Sequence, residues 1–236
     1  MRIFRRLIKW TLLVLVILAI WPLMYHPQTP LPDAWNPTEP LTIADPLSPL
    51  TDWKVRSAVA QPGACADTLE AEGSILRRLK AFTASDQCGI SQRVELRQVG
   101  QSRVRPFETT CEIGLRMALW EKHVLQPEAL KLFDQGIREI RHFSSYNCRR
   151  IRTSSGTGSR MSTHATARAV DVSGFVLDDG TLIDLRKHWD GNDAKAQFLR
   201  AAQRGACENF GLVLGPEYNA LHADHFHIQL DGIGCR

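Results

Sequence analysis

Apolar and polar residues alternate in two short stretches of the C-terminal half, and each reads as a half-buried strand. In Ala169-Val170-Asp171-Val172-Ser173 the valines take one side, and in His225-Phe226-His227-Ile228-Gln229-Leu230 the alternation is unbroken. Successive strand side chains point to opposite faces, so Val170, Val172, Phe226, Ile228 and Leu230 are predicted to enter a core. Asp171 then faces outward, as do His225, His227 and Gln229. Elsewhere the spacing is helical. Leu69, Ile75, Leu76, Leu79 and Phe82 predict one helix, Cys111, Leu115, Ala118 and Leu119 a second, and Pro127 the first residue of a third that runs to about Phe133. Asp193 opens a further helix with Phe198, Leu199, Ala202, Ala206 and Phe210 along its buried side and Gly211 as its stop. Residues 94–99 read as a strand and residues 137–146 as extended chain. Together these elements predict an α+β domain with a mainly antiparallel central sheet flanked by helices.

The N-terminal pattern is different. Residues 10–25 form an uncharged apolar run behind Arg2, Arg5, Arg6 and Lys9. It ends in Trp21, Pro22, Leu23, Met24 and Tyr25, which are bulky where a signal peptidase needs small residues, so an uncleaved N-terminal transmembrane anchor over residues 1–25 is favoured over a cleaved signal. The basic end then lies in the cytoplasm and the body outside, giving a single-pass protein of a bacterial inner membrane with its C-terminal domain in the periplasm. Nine of the twelve prolines fall between Pro22 and Pro62. Residues 26–62 are therefore expected to be an extended, stiff linker, and residues 63–236 the folded domain.

Charge and cysteines sharpen this picture. Of 29 basic residues four precede the first acidic one, which leaves 25 basic against 25 acidic in the remainder. A neutral body argues against nucleic acid as a partner. Cys65, Cys88, Cys111, Cys148, Cys207 and Cys235 all follow the apolar run and form no C-x-x-C pair, so they read as disulfides of an oxidising compartment. Six cysteines allow 15 pairings. Our working assignment is Cys65 with Cys88, Cys111 with Cys148, and Cys207 with Cys235.

Candidate chemistry concentrates in two places. His222-Ala223-Asp224-His225-Phe226-His227 holds three of the eight histidines, a density that packing alone does not explain. Upstream, His164 is followed by small residues and by Asp171 seven positions on. If the two strands lie side by side, His164, Asp171 and His227 can surround one ion. Two imidazoles and a carboxylate suit Zn2+, and three protein ligands leave a fourth position open, as in catalytic sites. The bland alternative is that Asp171 pairs with Arg168 or Arg160.

The pattern S-x-H-x6-D with a distant H-x-H resembles the zinc-peptidase superfamily of lysostaphin-type endopeptidases, D-Ala-D-Ala metallopeptidases and hedgehog domains. More closely, Ser145-Tyr146-Asn147-Cys148-Arg149, the segment from His164 to Asp171, Val213-Leu214-Gly215-Pro216 and the histidine cluster are similar to the bacterial extensin-like C-terminal domain family. That resemblance covers roughly residues 63–236. It implies a hedgehog/D-Ala-D-Ala-peptidase-like fold with His164, Asp171 and His227 as ligands. Some superfamily members place a glutamate where Asp224 stands, and others use an H-x-x-H-x-H spacing that His222, His225 and His227 reproduce, so His225 and Asp224 are joint candidates for the catalytic base, with His222 third. Several members carry glycine where this chain has Ala167 and Arg168, which is expected to narrow the cleft.

The implied activity is a zinc-dependent peptidase or amidase that uses metal-activated water on peptidoglycan stem peptides. The alternative is a non-catalytic peptidoglycan-binding or structural envelope module that keeps the fold. From Arg138 to Arg168 there are seven arginines and one acidic residue, Glu139. Within that basic stretch Arg149 is the candidate to grip a substrate carboxylate, with Tyr146 and Ser162 beside it as further substrate-binding candidates.

Overall fold

The computed structural model describes residues 2–26, 29–153 and 156–236. Seven α-helices are described: α1 (Arg2–Met24), α2 (Thr51–Ala60), α3 (Ala64–Ala71), α4 (Cys111–Trp120), α5 (Gln126–Phe133), α6 (Leu185–His188) and α7 (Ala194–Asn209). The strands are β1 (Ile75–Arg78), β2 (Phe82–Ser85), β3 (Cys88–Ile90), β4 (Arg93–Val99), β5 (Ser102–Thr110), β6 (Ile137–His142), β7 (Arg150–Thr153), β8 (Gly156–Met161), β9 (Ala169–Leu177), β10 (Leu182–Asp184), β11 (Leu212–Leu214), β12 (Phe226–Gln229) and β13 (Gly234–Cys235).

Nine strands form one sheet in the order β1-β4-β5-β6-β9-β12-β11-β13, with β10 also pairing β9. Its pairs are antiparallel except β5 with β6 and β11 with β13. The fold is thus α+β with a mainly antiparallel sheet. Two hairpins, β2–β3 and β7–β8, stand outside it.

The inner face of the sheet is covered because β9 and β12 present only apolar side chains to it. Val170, Val172, Phe175, Phe226 and Ile228 are fully buried. The α4 and α7 helices close over them: Trp120 of α4 meets Phe175 edge-on at 5.8 Å and donates its Nε1 proton to the Ala202 carbonyl at 2.9 Å. Asp193 caps α7 by accepting from the Ala196 amide at 3.0 Å, and Phe198, Leu199, Ala202, Ala206 and Phe210 are all buried. Gly211 lies beyond the helix as a close-approach position, since a Cβ there would strike the Leu230 carbonyl. The α4 helix runs through a π-helical turn, Glu121–Leu125, directly into α5.

Several expectations are corrected. The helix anticipated from Leu69 to Phe82 ends at Ala71, because Gly73 turns the chain with a φ of 84°, and Ile75 and Leu76 join β1 instead. Two of three expected disulfides are exchanged: the bonds are Cys65–Cys111, Cys88–Cys148 and Cys207–Cys235. Cys65 sits on α3, which packs on α4 where Cys111 begins, while Cys88 on the β2–β3 hairpin reaches the turn that carries Cys148. Cα separations of 6.2, 5.5 and 5.5 Å suit these bonds.

The N-terminal stretch also differs from its reading. Pro27, Gln28 and Met1 lie outside the described residues. From Ala34 onward the segment expected as a spacer lies on the domain: Leu41, Ile43, Val55 and Ala58 belong to the common core, and α2 packs on α3 and α4. Lys54 is buried, with Nζ donating to the Asp33 carbonyl at 2.6 Å; burial lowers its pKa against the raising pull of Asp45, Asp33 and Glu39. His123 bonds the Ile43 carbonyl at 2.7 Å and Arg116 pairs with Asp52 at 2.6 Å. The transmembrane part of the expected fold is not supported: among the described residues no helix is long and apolar enough to cross a membrane. The uncharged stretch of α1 ahead of Pro22 follows Lys9 and is about 18 Å long at 1.5 Å per residue, against about 30 Å of hydrocarbon.

Ile43→Ala is expected to lower the stability of the whole domain by about 2–4 kcal/mol, as for a core isoleucine, with the shift read from the urea midpoint. A solvated linker would keep the change within about 0.5 kcal/mol.

Candidate metal centre

The outward face of the sheet is open above β9 and β12, and their antiparallel register sets Asp171 opposite His227, between the pairs Phe226 with Val172 and Ile228 with Val170. Directly opposed residues share a face, so a carboxylate and an imidazole meet across the strands. The third group arrives from a 3-10 turn, Thr163–Thr166, that precedes β9. Ser162 caps this turn, its Oγ accepting from the His164 amide at 3.4 Å, and Ala167 leaves it with a φ of 51°, the conformation that favours glycine. The Ala167 carbonyl is held by the Thr110 amide and by the hydroxyls of Thr109 and Thr110.

His164, Asp171 and His227 offer one ligand atom each, all within 4.8 Å of one another. His164 Nε2 is 3.1 Å from Asp171 Oδ1 and 3.1 Å from His227 Nδ1, and His227 Nδ1 is 2.9 Å from the same carboxylate oxygen. Proton bookkeeping decides what these contacts mean. His164 Nδ1 donates to the Ser145 carbonyl at 2.6 Å, so its Nε2 carries a lone pair. His227 Nε2 lies 2.9 Å from Gln229 Oε1, an oxygen that also accepts from Thr163 at 2.9 Å, so His227 Nδ1 carries a lone pair too. Three acceptors therefore converge with no donor among them, an arrangement a cation satisfies. Tetrahedral zinc with bonds of about 2.0 Å sets its ligand atoms about 3.3 Å apart, near the spacing seen. The donor set and its supports, a backbone carbonyl and a glutamine behind the two imidazoles, fit such an ion.

Asp171 is largely shielded from solvent, which by itself raises its pKa; in the metal-free protein His164 and His227, where they donate to it as imidazolium groups instead of presenting lone pairs, outweigh that and hold the carboxyl well below the ordinary carboxylate range. Beside it, His225 turns Nε2 to within 3.7 Å of Asp171 Oδ1 while its Nδ1 donates to Asp224 Oδ1 at 2.8 Å. His222 stacks near His225 and His227, with centroids 5.2 and 5.9 Å away, and donates Nδ1 to Asn219 Oδ1 at 2.8 Å. Burial, reinforced by the neighbouring imidazoles, pushes the His222 pKa down to about 4.

The remaining candidates are placed differently. The Arg149 guanidinium reaches the Arg150 carbonyl at 3.3 Å while its own carbonyl accepts from the Ser162 amide at 3.0 Å, and Tyr146 packs its ring against Phe82 at 5.6 Å. Arg168 pairs with Asp231 through two contacts of 2.8 and 2.9 Å and lies 3.8 Å from Glu112, so it neither pairs with Asp171 nor narrows the site. Sequence reasoning missed three supports. Gln229 was legible by strand parity, whereas Ser145 acts through its backbone oxygen and Asn219 through a turn, neither of which leaves a sequence signal.

A family model described as extensin-like protein C-terminus matches residues 63–236. The chain belongs to this family. No curated protein and no solved structure matches it.

Two outcomes test the site. In equilibrium dialysis the parent protein is expected to retain about one zinc per chain, and His164→Ala or Asp171→Ala to lose most of it, while His225→Ala retains it. For the metal-free protein, an unfolded histidine takes up a proton near its ordinary pKa of about 6.5, whereas folded His222 does so only near pH 4. Its contribution to stability is therefore intact above about pH 6.5 and falls as the pH drops toward 4, and His222→Gln should show the smaller loss over that window in denaturant titrations.

Proposed function

We propose that this extensin-like domain is a zinc-dependent peptidase or amidase that cuts peptidoglycan peptides, and that it belongs to the zinc-peptidase superfamily of lysostaphin-type and D-Ala-D-Ala enzymes. The observation that carries the reading is the convergence of three proton-free ligand atoms on an open sheet face, with a histidine–aspartate pair at its edge. His164, Asp171 and His227 would hold the ion, which when bound supplies Lewis acidity and activates water.

The protein's own groups supply the rest. Asp224 accepts from His225 Nδ1 and so fixes the tautomer that presents a lone pair at Nε2, toward Asp171. In this arrangement His225 is the base that takes a proton from the attacking water and returns it to the leaving amine, and Asp224 is the positioning group behind it. His222, neutral at pH 7 and bonded through Nδ1 to Asn219, offers Nε2 as an acceptor on the same side.

The compartment is proposed on the same footing. Three disulfides form where thiols are oxidised, which suits a domain in the bacterial periplasm. Peptidoglycan stem peptides lie in that same compartment.

Zinc-loaded full-length protein incubated with purified sacculi is expected to release stem-peptide fragments, and a chelator to stop the release. His225→Ala should slow turnover by at least about 100-fold with zinc content unchanged. Sacculus binding with full zinc and no cleavage would instead identify a binding module.

A further inference from the structure

On the same sheet face, next to the histidine cluster, lies a cleft of about 430 Å3 whose role nothing above assigns. Its floor is the outward side of β6 with Ser173 of β9, one wall is the turn from β10 into α6, and its inner end is Asp224. Phe143 of the lining meets His225 edge-on at 5.6 Å, so the cleft lies beside the metal centre.

Four cationic side chains, Arg105, Arg141, Arg186 and Lys187, line it. Its carboxylates are committed elsewhere: Asp224 accepts from His225, Asp184 caps α6 through the Lys187 amide at 3.1 Å, and Glu139 holds Arg141 at 3.5 Å. Among the described residues Arg105, Arg186 and Lys187 form no ion pair, and Arg105 bonds only the Phe143 carbonyl, at 2.7 Å. With four cations against three carboxylates the lining is net positive by one, and Arg105, Arg186 and Lys187, outside any ion pair among the described residues, fit an anionic group of a ligand.

Asp224, which lines the cleft, is linked to Asp171 through one imidazole by contacts of 2.8 and 3.7 Å, so one peptide can reach both the cleft and the metal centre. We propose that this cleft is the carboxylate subsite of the domain: it grips a free carboxylate of a peptide ligand while another group of the same peptide faces the metal centre. The assignment rests on the peptidase reading for its substrate class. It moves the carboxylate grip from Arg149, which does not line the cleft, to Arg186, Lys187 and Arg105.

The test is calorimetric titration of zinc-loaded full-length protein with a stem pentapeptide as the free acid, with its fully amidated form, and with inorganic phosphate, alongside a cleavage assay. The parent is expected to bind the acid at least about tenfold more tightly than the amide, as for a charge-assisted contact. R186A/K187A, both exposed positions, should erase that preference with zinc content unchanged, and Arg149→Ala should preserve it. Equal affinity for acid and amide, or a preference that survives R186A/K187A, overturns the subsite. Tight phosphate binding without any acid preference overturns the carboxylate assignment. Acid-selective binding without cleavage supports the subsite and sinks the peptidase reading, whereas cleavage without acid selectivity does the reverse.

Discussion

The registration of β12 against β9 is the constraint on which the rest depends. With Phe226 opposite Val172 and Ile228 opposite Val170, these four apolar side chains are buried on the inner face, and Asp171 and His227 are left facing each other on the outer one. A slip of one residue would drive a carboxylate and two imidazoles into an apolar core and expose the valines. Burial of the inner face thus holds the outer face in place, and the packing that stabilises the domain also positions the ligands.

The outer face is then completed by hydrogen bonds rather than by packing. A backbone carbonyl at Ser145 and the Gln229 side-chain carbonyl each accept a hydrogen bond from an imidazole N–H, which turns both free lone pairs and the Asp171 oxygen toward one point. Without a cation that arrangement sets acceptor against acceptor. Asp224 repeats the device one step outward on His225, just ahead of β12.

The hairpins and the N-terminal segment brace this sheet from outside. Cys88–Cys148 ties the β2–β3 hairpin to the chain leading to His164, and Cys65–Cys111 joins α3 to the start of α4. The segment from Ala34 to α2 adds Leu41, Ile43 and Val55 to the core and spends Lys54 on two backbone carbonyls, so its prolines shape a wrapped path rather than a free spacer. Among the described residues Arg105, Arg186 and Lys187 form no ion pair while Arg168 pairs with Asp231.

By itself the sequence determined whatever depends on local period and on residue chemistry. Alternation with period two assigned the inward and outward faces of β9 and β12, an aspartate cap and apolar spacing placed α7, and two histidines with one aspartate named a zinc-type donor set before any coordinates. Tertiary structure decided what depends on which distant surfaces meet. Local spacing carries no information on which of six cysteines come within bonding reach, on whether Arg168 turns to Asp171 or Asp231, or on whether a proline-rich stretch finds a core to lie on. A helical apolar pattern also persists across Gly73, yet the left-handed turn there sends Ile75 and Leu76 into the sheet, where they lie opposite Gln98 and Leu96 of β4.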